Sequence, residues 1–118
     1  MTQGVDGFVE DLRSEQIDVE VRDQVVVYSV TPVAGPRAGR EVMTGVSVDE
    51  LQGWPMTPPH WIHLPDDVQF VSTNTDKNGV LAGWTRHSRD IGQWDLSRKP
   101  ILTWIAHIRG VLGQVIGE

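Results

Sequence analysis

The residues best equipped for chemistry cluster in one stretch, Trp84-Thr-Arg86-His87-Ser88-Arg89-Asp90-Ile-Gly-Gln-Trp94, in a chain that contains no cysteine. A serine hydroxyl is a weak nucleophile at neutral pH. It needs a base to take its proton and donors to hold the oxyanion that forms. His87 offers an imidazole whose unperturbed pKa suits the first role. Asp90 could orient that imidazole or act on an incoming amine, and Arg86 and Arg89 could steady developing negative charge. Neighbouring residues of a strand point to opposite faces, so His87 serves Ser88 only if the segment turns. A plainer alternative has Ser88 making a turn hydrogen bond and the arginines lying on the surface, because such constellations are defined by geometry and not by adjacency. Trp84 and Trp94 could wall a site or bind a flexible tail, or simply anchor the loop between them to the core.

Other polar candidates are thinner. His60 and His63 have a spacing that would put their rings on opposite faces of a strand, and no third ligand accompanies them, so no metal is expected. His107 falls inside the last helical pattern and reads as a surface or boundary residue.

Periodicity gives the helices and strands that carry these side chains. Val5, Phe8, Val9 and Leu12 recur at helical spacing, with Asp6 placed to cap the start. Ile17 to Arg22 then alternates apolar and charged residues, the pattern of a strand with one wet face. Val25 to Val30 reads as a more fully buried strand, Pro32 to Gly39 as a surface loop. Glu41 to Val48 is a third strand with Val42, Thr44, Val46 and Val48 on one face. The segment Gly53-Trp54-Pro55-Met-Thr-Pro58-Pro59 cannot be helix or central strand, because its prolines remove backbone donors and fix backbone angles. Trp61 to Leu64 is a short fourth strand, and Asp66 to Gly83 a long polar loop. A closing helix lies between Asp95 and Val115, with Ile101, Ile105, Ile108, Leu112 and Val115 stepping by four and three. Pro100 fits its first turn, and Ser97 or Asp95 could cap it.

A length of 118 residues suits one domain, and five tryptophans with 39% hydrophobic residues belong to a folded chain. The net charge of −6 argues against nucleic acid as a partner and favours a protein or a small molecule. Lack of cysteine excludes a disulfide scaffold and a thiolate metal cluster. Neither a signal-peptide pattern nor an apolar run of membrane-spanning length is present, so a cytoplasmic protein without a membrane partner is the default expectation. The sequence calls for no cofactor.

The order of helix, meander, aromatic-Pro-x-x-Pro-Pro turn, short strand, irregular loop and closing helix resembles the ubiquitin-conjugating (UBC) superfamily. The Gly53–Pro59 segment looks like that fold's Tyr-Pro-x-x-Pro-Pro turn, with Trp54 replacing the tyrosine. Trp84-Thr-Arg86-His87-Ser88-Arg89, followed by Trp94 and the Ile101–Leu112 helix, is similar to a bacterial branch, prokaryotic conjugating-enzyme family E. The resemblance covers residues 8 to 115. It implies a single α+β domain over 1–118: an N-terminal helix, an antiparallel four-strand meander, a Pro-rich turn, an irregular active-site loop and a C-terminal helix.

Two departures from the superfamily bear on function. His63-Leu-Pro65 is the nearest trace of its His-Pro-Asn motif and lacks the asparagine. The catalytic cysteine is absent, and the branch's His after Ser-Arg is Asp90 here. What the resemblance then implies is a ubiquitin-like conjugation component that holds the modifier as an oxyester on Ser88, which lies close to where the cysteine would be, and passes it to an amine. The expected partners are a ubiquitin-like protein, its adenylating activating enzyme and a target protein. The acidic residues Asp6, Glu10, Asp11, Glu15, Asp18 and Glu20 would form a solvated face or dock that activating enzyme. Trp54, Trp84, Trp94 and Arg89 would be binding residues, with Trp54 and Met56 open to partners. The alternative is an inactive UBC-fold module that scaffolds a modifier or its activating enzyme.

Overall fold

The computed structural model describes residues 3–70 and 74–116. These residues form an α+β fold, with helices α1 (Gly4–Ser14) and α2 (Pro100–Leu112) and six strands among them. These are β1 (Val19–Arg22), β2 (Val25–Val30), β3 (Val42–Ser47), β4 (Trp61–Pro65), β5 (Thr75–Asp76) and β6 (Trp84–Ser88). They form one antiparallel sheet in the order β1-β2-β3-β4-β6-β5. The expected four-strand meander is therefore present, extended by two strands that periodicity did not reveal.

One face of the sheet carries both helices. Tyr28 of β2 meets Phe8 of α1 edge-on at 5.7 Å between centroids, and its hydroxyl oxygen accepts the Trp104 indole N–H of α2 at 2.7 Å. Val26, Val46, Ile62 and Leu64 complete this core from the sheet side, with Leu12, Ile101, Ile105 and Ile108 from the helices. Burying each such side chain is worth about 1.5–3 kcal/mol. The sheet's opposite face carries His63, which pairs in register with Gly45. A Cβ on Gly45 would stand 2.9 Å from Val25 Cγ1, so the strands approach here only because residue 45 has no side chain.

Local details differ from the sequence expectations for physical reasons. α1 begins at Gly4, whose N–H donates to the Trp54 carbonyl at 2.9 Å. Asp6 is thus not the cap but an acidic residue inside the first turn, where it still faces the positive helix end. α2 starts with Pro100 in its first turn, as expected, but neither Asp95 nor Ser97 caps it. The Asp95 carboxylate instead accepts the Ser97 N–H at 2.9 Å in a turn before the helix. Val48 leaves β3 and opens a 3₁₀ helix, Val48–Leu51, where the Ser47 hydroxyl caps Asp49 N–H. The stretch expected as a 66–83 loop holds β5; its residues 71–73 lie outside the described residues. No described helix is long and apolar enough to cross a membrane.

Candidate functional site

The segment expected to be an irregular active-site loop is, over Trp84–Ser88, a sheet strand. β6 lies between β4 and β5, with Ile62 opposite His87, His63 opposite Arg86 and Trp61 opposite Ser88. Strand alternation then divides its chemistry between two faces. His87 turns with Ile62 to the helix-covered face, while Arg86 and Ser88 turn with His63 and Trp61 to the other.

This division removes His87 as a base for Ser88. The His87 ring is 3% exposed and packs edge-on against Phe70 at 5.1 Å, and neither ring nitrogen has a partner among the described residues. Burial, reinforced by the nearby Arg89 cation, pulls its pKa down to about 4, so it is a neutral residue at physiological pH. It lines a cavity of about 230 Å³ together with Phe70, Thr75 and Thr85. His63 is 1% exposed and equally unpartnered, and burial with the facing Arg86 lowers it to about 4 as well.

The base that geometry offers Ser88 is His60. Its Nε2 is hydrogen-bonded to Ser88 Oγ, across 28 residues of sequence and at an exposed position. The strand pairing explains the meeting: Ser88 stands opposite Trp61, and His60 is the residue just before it, off the end of β4. His60 follows Pro58-Pro59, so the proline-rich turn delivers it to the rim. His60 was visible in the sequence only as half of a weak His-x-x-His pair, and no spacing rule links it to Ser88. In the structure its ring is committed to Ser88, whereas that of His63 is enclosed in the sheet.

The remaining candidates take structural posts. Arg86 makes a two-pronged ion pair with Asp76 of β5, one prong at 3.0 Å, and lies 4.1 Å over the Trp61 ring, so its guanidinium is engaged and not free for an oxyanion. The same bond holds the Asp76 carboxyl below its ordinary range. Among the described residues Asp90 orients no imidazole by hydrogen bond; its carboxylate accepts the Gly92 N–H at 2.8 Å and closes a turn in which Gly92 takes a φ of +79°. Arg89 stacks 4.7 Å over Phe70 and donates to the Ser88 carbonyl at 3.1 Å.

Of the tryptophans, Trp54 is fully enclosed, 4.9 Å from Phe8, with its indole N–H on Asp11 at 3.0 Å. It is a core anchor, not a partner-facing residue, because the tight turn folds it inward; Met56 alone of that pair is exposed, at 64%. Trp94 donates its indole N–H to the Pro55 carbonyl at 2.9 Å and leans on Trp54 at 5.7 Å, tying the end of the 89–94 segment to the same turn. Trp84 opens β6 opposite Pro65 and is half-buried. His107, half-buried beside Trp104 on α2, is the boundary residue its helical position suggested.

Around Ser88 the backbone donors are in use. Ser88 N–H donates to the Asn74 carbonyl at 2.9 Å and Arg89 N–H to the His60 carbonyl at 3.3 Å. The site is thus a hydroxyl–imidazole pair on an exposed strand end, held by a surrounding net of satisfied backbone groups. Comparison with known protein families, with curated proteins and with solved structures finds no match to this chain.

Proposed function

We propose that the chain is a UBC-like conjugation component that accepts an activated ubiquitin-like modifier on Ser88 and hands it to an amine. The observation that carries this is the Ser88 Oγ–His60 Nε2 hydrogen bond at a solvent-open strand end. It supplies the two groups that acyl transfer through a hydroxyl requires, a nucleophile and a base in contact. Supporting it is the order of the elements, with the proline-rich turn feeding His60 into the site and α2 closing the chain. In this mechanism Ser88 Oγ attacks the C-terminal acyl carbon of a modifier activated as an acyl adenylate. His60 Nε2 takes the hydroxyl proton, AMP departs with the former anhydride electrons, and an ester remains. An amine on the target then attacks the ester and forms an amide; the Ser88–acyl bond breaks, Ser88 Oγ takes back its proton from His60, and the proton lost by the amine passes to solvent.

The test combines the chain with an activating enzyme, its ubiquitin-like modifier and ATP. The expected product is an adduct that survives thiol reductant and is cleaved by hydroxide, is absent in Ser88→Ala, and is at least ~100-fold slower in His60→Gln. An adduct that persists in Ser88→Ala sinks the proposal. The second reading, an inactive module that binds a modifier or its activating enzyme, is favoured by one observation. The Ser88 and Arg89 N–H groups and the Arg86 guanidinium are all occupied, which leaves no ready oxyanion donor among them. It predicts non-covalent binding that is indifferent to both substitutions.

A further inference from the structure

We infer that Glu50 is a positioning residue for the Ser88–His60 pair, holding the backbone of His60 so that its ring meets the serine; this rests on the acyl-transfer reading only for its kinetic consequence. Pro58 and Pro59 have no N–H, so the first backbone donors after the turn are those of His60 and Trp61. β4 pairs with β3 at Gly45 and His63 only, so no β3 residue is paired with this end of β4. The carboxylate of Glu50, on the 3₁₀ helix after β3, takes that place. Its Oε1 accepts His60 N–H at 3.1 Å, and the Trp61 N–H stands 3.3 Å from both carboxylate oxygens.

On its other side the His60 carbonyl accepts the Arg89 N–H at 3.3 Å. Both backbone polar groups of His60 are therefore fixed, one by Glu50 and one by the chain just beyond Ser88. Only side-chain rotation is left to decide where the imidazole goes, and it goes to Ser88 Oγ. Glu50 touches no reacting atom. It acts through His60, and the Arg86 guanidinium that it also faces is held separately by Asp76.

The experiment compares wild type, Ser88→Ala, Glu50→Ala and Glu50→Asp by imidazole ¹⁵N NMR and by single-turnover adduct formation. Glu50 is half-buried at the surface and its partners can turn to water, so the variants are expected to fold. In Glu50→Ala the His60 Nε2 resonance moves to the value seen in Ser88→Ala, where the hydrogen bond is gone. Glu50→Asp keeps the charge near Arg86 but falls short by one methylene, and it gives the same displacement. The rate of adduct formation drops roughly tenfold to a hundredfold in both, the cost of an ångström-scale misplacement, with affinity for the activating enzyme unchanged. A wild-type His60 signal in Glu50→Ala overturns the inference, as does a wild-type signal in Glu50→Asp alone, which would assign the effect to charge. If His60 moves as expected while even the wild-type chain forms no adduct, the positioning stands and the acyl-transfer proposal falls.

Discussion

Two enclosed neutral histidines make the stability of this chain steeply dependent on pH. His63 and His87 stand on adjacent strands, 1% and 3% exposed, and burial lowers each from 6.5 to about 4. The unfolded chain binds protons at these imidazoles near 6.5, the folded chain only near 4, so between those values the unfolded state holds more protons. Stability is therefore fully present above 6.5, falls as pH drops from 6.5 to 4, and changes no further through these groups below that. Each pKa unit corresponds to about 1.4 kcal/mol, so each histidine contributes up to about 3.4 kcal/mol over the whole window. Taking the chain from pH 7.5 to pH 5 removes about 2 kcal/mol per histidine and about 4 kcal/mol in all, a large share of the usual 5–15 kcal/mol. The Asp66 and Asp76 carboxyls cannot cause this loss. Hydrogen bonds from Lys77 and Arg86 hold them below their ordinary 3.8, so their contribution disappears only below that value. His107, also lowered by burial, adds to the effect with the same sign. Urea unfolding at pH 7.5, 6 and 5 is the assay, with a melting temperature about 15 °C lower at pH 5 as its companion. His87→Phe, which places an aromatic ring beside Phe70, should remove about half of the pH slope. A flat wild-type profile between pH 7.5 and 5, or an unchanged slope in His87→Phe, would refute the assignment of these rings as enclosed and neutral.

Further outcomes follow from the packing. Trp54→Ala removes a fully buried ring from between Phe8 and Trp94 and should cost about 3–5 kcal/mol in urea unfolding, where a surface binding residue would cost little. Gly45→Ala drives a methyl into Val25 Cγ1 at 2.9 Å and should cost about 1–3 kcal/mol, seen as a lower denaturation midpoint with unchanged slope. Trp94→Phe keeps one aromatic ring but loses the N–H bond to the Pro55 carbonyl, about 1 kcal/mol, together with part of the packing on Trp54. Asp90→Ala opens the turn to Gly92 and should leave both the His60 imidazole signals and any Ser88 adduct unchanged; loss of the adduct would return Asp90 to the chemistry.

Much of the fold was legible because the relevant patterns are local. A 3.6-residue period in Val5, Phe8 and Leu12, and again in Ile101, Ile105 and Ile108, marks helices whose one face is buried; all but Val5, which packs partly buried against it, are found in the core. Val25 to Val30 and the alternation in β3 were equally plain. β6 was not, because its one buried side chain is the polar His87, while the apolar Trp84 at its start is only half-buried: polarity and burial run against each other, and periodicity has nothing to detect. β5 is two residues long and draws its existence from pairing with β6.

For the site, residue types and order marked Ser88 as the hydroxyl to examine and carried the warning that a strand would turn His87 away from it. It also determined that the proline-rich turn would break the backbone ladder before residue 60, since proline has no N–H to give. The partner of that hydroxyl follows from contact between strands. Pairing of β4 with β6 sets Trp61 opposite Ser88 and so brings His60, 28 residues away in sequence, to its hydroxyl. The same pairing sends His87 into the core, that of β5 with β6 joins Arg86 to Asp76, and Glu50 takes the place of a β3 partner at the start of β4. Spacing along a chain fixes which face a side chain takes within its own element; register between elements fixes whom it meets, and register belongs to the folded sheet.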